Sequence, residues 1–155
     1  MMDKIYLAGP CSKDERPRME QVAKALRNEG FEVYCPFELK IPNAWDYPQE
    51  KWAKMVFDHD VEALDRCDFV VMLSQGRIST AGTNWEQGYA YAKEKPVFVF
   101  QYTDDDTSLM TYCGCTRMEN LCRAADLSVC IAKYPYERYI RSKYKELNPC
   151  RTTLT

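Results

Sequence analysis

Along this chain, short continuous apolar runs alternate with stretches in which apolar residues return every three or four positions. The runs at residues 4–8, 31–35, 68–74 and 96–101 are five to seven residues long and rich in valine and phenylalanine, as buried strands are. Between the first two, Met19, Val22, Ala23 and Leu26 form the stripe of an amphipathic helix over 16–28, and Gly30 is its expected C-terminal stop. A second helix is predicted over 50–66, with Trp52, Met55, Val56, His59, Ala63 and Leu64 along its inner side. A third follows the turn Ala81-Gly82-Thr83 and runs to about Glu94. Thr83 is its expected N-cap, and Glu86 completes a T-x-x-E capping box. Beyond strand four the pattern weakens. A short helix is expected at 107–113, a fifth strand at 128–132 and a final helix at 136–147.

Strands alternating with helices predict an α/β fold with a parallel sheet. The expected architecture is a flavodoxin-like three-layer sandwich of about five mostly parallel strands in the order 2-1-3-4-5. At 155 residues, 46% of them hydrophobic, the chain reads as one domain spanning residues 1–155.

Composition removes several classes. The formal net charge of -2 gives no basic surface for nucleic acid. No window reaches the ~18 consecutive apolar residues of a membrane span. Met1-Met2-Asp3-Lys4 leads straight into a strand, without the pattern of a signal peptide, so a cytoplasmic location is expected. The eight cysteines lack paired zinc spacings, and the one histidine, His59, lies far from the Cys113-Gly114-Cys115 cluster, so no metal is expected. Gly9 stands alone after strand one, without a dinucleotide fingerprint, so no cofactor is expected either.

The candidate chemistry sits where the loops after strands one, three and four meet at the carboxyl edge of the sheet. There Tyr6, Gly9, Asp60 and Glu86 converge. Glu86 reads either as a capping residue or as a carboxylate held ionised by a helix start, suited to nucleophilic attack on a sugar. Asp60 lies on the apolar side of its helix, a costly place for a carboxylate unless it is paired or at a cavity. A partly buried, protonated Asp60 suits proton donation to a leaving group, and the Tyr6 hydroxyl is placed to hold Glu86. The long connection before Glu50 carries Trp45 and Tyr47, which either wall a base-sized pocket or pack the loop onto the domain. The run Asp104-Asp105-Asp106 reads as a solvated acidic loop.

Taken in order, Ile5-Tyr6-Leu7-Ala8-Gly9-Pro10, Asp60, Cys67-Asp68-Phe69-Val70-Val71 and Ala81-Gly82-Thr83-Asn84-Trp85-Glu86-Gln87-Gly88-Tyr89-Ala90 resemble the nucleoside 2-deoxyribosyltransferase family. That family includes the related 2'-deoxynucleoside 5'-phosphate N-hydrolases, and the resemblance spans about residues 4–115. It implies that Glu86 is the nucleophile forming a covalent deoxyribosyl-enzyme, that Tyr6 orients it and that Asp60 contacts the base. It places Gly9, Pro10, Trp45, Thr80, Gly82, Trp85 and Ser108 around a small nucleoside or nucleotide. It also implies a homodimer or higher homo-oligomer in which the Ser108 region reaches a neighbouring site. Many transferases of this family carry an aspartate where Thr80 stands. The hydrolases carry serines there and at the Ser108 position, and hydroxyls suit a phosphate better than carboxylates do. The expectation is a transferase moving deoxyribose between bases. The alternatives are a 5'-monophosphate N-hydrolase and a nucleotide-binding sensor without turnover, which would need no nucleophile.

Overall fold

The structure is a computed structural model that describes residues 2–147, with side chains through residue 141. Five strands form one all-parallel sheet in the order β2-β1-β3-β4-β5: β1 Lys4–Ala8, β2 Glu32–Tyr34, β3 Phe69–Ser74, β4 Val97–Gln101 and β5 Arg117–Asn120. The helices are α1 Arg16–Asn28, α2 Gln49–Arg66, α3 Ala81–Ala92, α4 Leu109–Cys113, α5 Leu127–Ala132 and α6 Tyr136–Leu147. The fold is the expected flavodoxin-like α/β sandwich.

Alternation along the strands decides what lies on each side. Ile5 and Leu7 join Phe69, Val71, Leu73, Phe98 and Phe100 in one core. Met19, Val22, Ala23 and Leu26 of α1 cover it together with Ile131 and Tyr136. Tyr6 and Ala8 point the other way, to Val70, Met72, Val97, Val99, Leu64 of α2 and Ala90 of α3. The two sides are unequal. The α1 side is sealed by an aromatic cluster in which Tyr136 contacts Phe31, Phe69 and Phe98 at 4.9–5.9 Å between ring centres. On the other side only the C-terminal part of α2 is held tightly. Leu64 is buried there, while Trp52 is 41% and Phe57 50% exposed.

Helix α1 ends as its glycine predicts. Gly30 has φ +95, its N–H donates to Arg27 O, and the Phe31 N–H returns to Leu26 O. Together these make the paired bonds of a Schellman motif. Two expectations are corrected. Residues 128–132 belong to α5, not to a strand. Asp126 caps that helix by accepting from the Val129 N–H at 3.1 Å, and Ile131 and Ala132 are buried while Val129 stays exposed. A five-residue apolar run carries too few turns to separate the two periods. The real fifth strand, Arg117-Met118-Glu119-Asn120, is an edge strand with charged and half-exposed positions, so it lacks the apolar signal of the others.

Gly30→Ala should lower the free energy of unfolding by about 1 kcal/mol, the cost of a side chain in left-handed backbone. Urea denaturation checks this, and an unchanged midpoint would mean that the helix end relaxes freely.

Candidate active site

The parallel register of β1 and β2 sets Tyr6 directly beside Tyr34. Register partners project to the same face of a sheet, and their rings stack at 5.4 Å with 27° between planes. Each phenol donates to a carboxylate from a different helix. Tyr6 Oη donates to Glu86 Oε1 of α3 at 2.8 Å. Tyr34 Oη donates to Asp60 Oδ1 of α2 at 2.8 Å. Among the described residues, no donor reaches the second oxygen of either carboxylate.

Helix α3 begins one turn earlier than the sequence suggests. Thr80, not Thr83, is the N-cap: its Oγ1 accepts from the Thr83 N–H and lies 2.7 Å from Thr83 Oγ1. Glu86 is therefore six residues past the cap, beyond the first turn and its free N–H groups. It is neither a capping residue nor an anion held by the helix start. Burial instead pushes its pKa up to about 7, with the Asp60 charge adding to the rise and the Tyr6 hydrogen bond opposing it. Burial also raises Asp60, against the hydrogen bond from Tyr34 and the charge of exposed His59. Both phenols are pushed well above the ordinary tyrosine range, first by burial and then by the carboxylates beside them. They therefore stay protonated donors.

The loop leaving β1 lies alongside. The Cys11 thiol is raised by burial and then by the charges of Glu86 and Asp60, and its Sγ donates to Gly9 O at 3.4 Å. Pro10 is buried, and a Cβ on Gly9 would meet Met19 Sδ at 2.6 Å, so Gly9 lets α1 pack close to the strand. Gly82 is the opposite case. A Cβ there would meet no atom within 4 Å, which leaves open space over the first turn of α3.

Trp45 is fully exposed on the 3-10 turn Ala44–Asp46 and lines a cleft with Tyr47, Gln49 and Trp52. Trp85 faces outward, stacked on Tyr89 at 5.3 Å and meeting Phe57 edge-on at 5.2 Å. Ser108 is half-buried just before α4, and its hydroxyl makes no capping bond.

Several supporting residues left no sequence signal. Buried Gln87 donates to Thr111 O and Gly114 O at 2.9 and 3.0 Å, clamping α4 to α3. Gln101 donates to Thr103 O and accepts from Thr107 Oγ1, which shapes the loop after β4. Asp105 is not merely solvated. It accepts from the Arg77 backbone and guanidinium at 3.1–3.3 Å and so ties that loop to the one after β3. The one signal that could have exposed Tyr34 was a second tyrosine in the neighbouring strand, but its register is not written in the sequence.

The chain matches the family model described as nucleoside 2-deoxyribosyltransferase over residues 5–135. The chain belongs to the nucleoside 2-deoxyribosyltransferase family. Among solved structures it is similar to a 2-deoxyribosyltransferase of Bacillus psychrosaccharolyticus, at 25% identity and TM-score 0.75 over 88% of this chain and 95% of that one. A conserved protein of Enterococcus faecalis V583 is 31% identical, with TM-score 0.56, over 67% of this chain and 65% of that one. A CMP N-glycosidase of Clostridium botulinum shares the fold at 18% identity and TM-score 0.54, over 94% of this chain and 99% of that one. No curated protein matches the chain by sequence. Membership in the deoxyribosyltransferase family gives the general kind of activity, enzymatic glycosyl transfer on small nucleosides. Among the described residues no group of three His, Cys, Asp or Glu is placed to hold a metal, and no helix is long and apolar enough to cross a membrane.

The raised pKa of Glu86 has a linkage consequence. The folded state binds this proton more tightly than the unfolded chain, so stability falls as pH rises from about 4.5 to about 7. Glu86→Gln, which carries no charge, should therefore melt higher than the wild type at pH 8, by an amount on the order of 3 kcal/mol in stability. The two should melt together near pH 4. Calorimetry at both pH values is the check, and equal melting at pH 8 would show that Glu86 is not desolvated.

Proposed function

We propose that this protein is a nucleoside 2-deoxyribosyltransferase that works through a covalent glutamyl-deoxyribose intermediate. The observation that carries the reading is the half-buried Glu86 carboxylate, one oxygen held by Tyr6 and the other, among the described residues, without a donor. In the first half-reaction that oxygen attacks C1' of the sugar. The C1'–N bond breaks, its electron pair stays on the base, and Asp60 gives the base a proton. In the second, a nitrogen of an incoming base attacks C1', Glu86 leaves, and Asp60 takes the proton back. Burial raises both carboxyls. It makes Glu86 a stronger nucleophile once ionised, while holding it protonated up to about pH 7, and it keeps Asp60 protonated further up the pH scale.

In this reading the loop of Gly9 and Pro10 and the open space over Gly82 border the sugar. Exposed Trp45 and Trp85 stand as candidate walls for the base. The 5'-monophosphate N-hydrolase remains the second reading, favoured by the unused hydroxyl of Ser108 and by the absence of a carboxylate at Thr80. Against it stands the net negative charge of Asp104, Asp105 and Asp106, on the loop between β4 and Ser108, which the single Arg77 guanidinium paired with Asp105 and Asp106 only partly offsets. The Thr80 hydroxyl is also occupied in capping α3, so Thr80→Val removes a cap as well as a donor.

Incubation with a 2'-deoxynucleoside and a second free base, followed by chromatography, separates the readings. A new nucleoside is the expected product. Free sugar, or sugar phosphate from a deoxynucleotide, would point to the hydrolase, and no turnover to a sensor. Glu86→Ala should fold and lose nearly all cleavage; activity within about tenfold of wild type would remove it as nucleophile.

The outer side of α2, α3 and α4 exposes Trp52, Phe57, Trp85, Leu109, Met110 and Tyr112, with Met110 at 80% and Leu109 at 74%. A patch of this kind marks an association surface, and it supports a homo-oligomer in which the Ser108 region lies beside a neighbouring subunit's site. Light scattering on the purified chain should give a dimer or larger, and Met110→Glu should dissociate it. A monomeric wild type would overturn the assembly.

A further inference from the structure

We infer that Tyr34 is a positioning residue for Asp60, and that the register pair Tyr6–Tyr34 sets the spacing between the two carboxyls. Tyr34 has no place in the reaction as proposed above, and this inference rests on that reading of Asp60 as the group serving the base.

Tyr6 and Tyr34 are opposite one another in parallel β1 and β2, so their Cα atoms are one strand spacing apart. Their rings stack, which removes one ring's freedom to swing without the other. The hydroxyls therefore end side by side, and each receives a carboxylate brought by a separate helix. Helix α3 is fixed near the sheet by buried Thr83, Gln87 and Ala90. Helix α2 is different. Its N-terminal half is largely exposed and Leu64 is its buried residue, so packing alone constrains the position of Asp60 weakly. The hydrogen bond from Tyr34 supplies the missing constraint. It occupies Oδ1 and leaves Oδ2 as the oxygen to give and take the proton of the base.

The same bond sets when that proton is available. A donor to a carboxylate favours its ionised form. Removing the Tyr34 hydroxyl therefore raises the pKa of Asp60, and the protonated acid persists to higher pH. The titratable groups around Asp60 are Tyr34 from β2, Tyr6 from β1, Glu86 from α3, His59 from α2 itself and Cys11 from the loop after β1. Tyr34→Phe changes only the first and keeps the ring stack.

The test compares Tyr34→Phe, Asp60→Asn and the double variant on deoxynucleosides with poor and with activated leaving bases, across pH. The expected result for Tyr34→Phe is a kcat about ten- to a hundredfold lower with poor leaving bases. KM and the activated substrates should change little, and the alkaline limb of the rate profile should move to higher pH. In the Asp60→Asn background, Tyr34→Phe should have no further effect. A merely structural tyrosine gives another pattern: equal slowing of all substrates, an unmoved alkaline limb and effects that add to those of Asp60→Asn. That pattern, with Asp60→Asn itself sensitive to the leaving base, would overturn the role of Tyr34 and leave Asp60 standing. If Asp60→Asn slows all substrates alike, the base-side role fails, and the assignment of Tyr34 with it.

Discussion

The candidate site depends on one constraint, the in-register pairing of β1 with β2. A parallel ladder leaves no freedom of one residue, because a slip by one turns every side chain to the other face. In this register Tyr6 and Tyr34 face the α2–α3 layer together, and Ile5 and Val33 face the α1 core. The phenols then determine where two carboxylates from distant parts of the chain can be buried. Without those donors each carboxyl would lie in a poorly hydrated place with nothing to replace water. With them, each is partly satisfied, and among the described residues no donor takes its second oxygen.

The two faces of the sheet divide the labour. The α1, α5 and α6 side is filled by Phe69, Phe98, Phe100, Tyr134 and Tyr136, whose rings meet mostly edge to face. Contacts of that kind stabilise a core beyond the area they bury. The α2–α3 side has a smaller core and carries the titratable groups. Its outer helix surfaces expose large apolar residues such as Trp52, Phe57 and Trp85. Stability is concentrated on one face, and on the other the helices retain the openness that a small ligand needs.

The loops at the carboxyl edge are held by side-chain to backbone bonds rather than by apolar packing. Gln87 holds α4, Gln101 holds the turn after β4, and Thr103 Oγ1 donates to Gln75 O at 2.8 Å between the loops after β3 and β4. Bonds of this type fix a loop without filling the space in front of it. They account for a rim that is shaped and still open over Gly82.

The sequence by itself determined most of the architecture. Apolar period marked β1, β3, β4, α1 and α2 to within a residue or so at either end, and Gly30 marked a true left-handed helix end. Spacing and order also brought Tyr6, Asp60 and Glu86 forward as candidates, because a carboxylate on an apolar helix face and a tyrosine in a buried strand are both unusual. Tertiary structure decided the rest. Edge strand β5 has half-exposed charged residues, so its identity comes only from pairing with β4. Thr80 rather than Thr83 caps α3, since a T-x-x-E pattern cannot say which threonine has extended backbone. That single turn of difference changes Glu86 from an anion at a helix start into a half-buried carboxyl whose pKa desolvation pushes up to about 7. Tyr34 came beside Tyr6, and its hydroxyl to Asp60, only through strand register. Period and composition are local quantities. Which side chains meet, and how far water is excluded from them, depends on contacts between residues far apart in the chain.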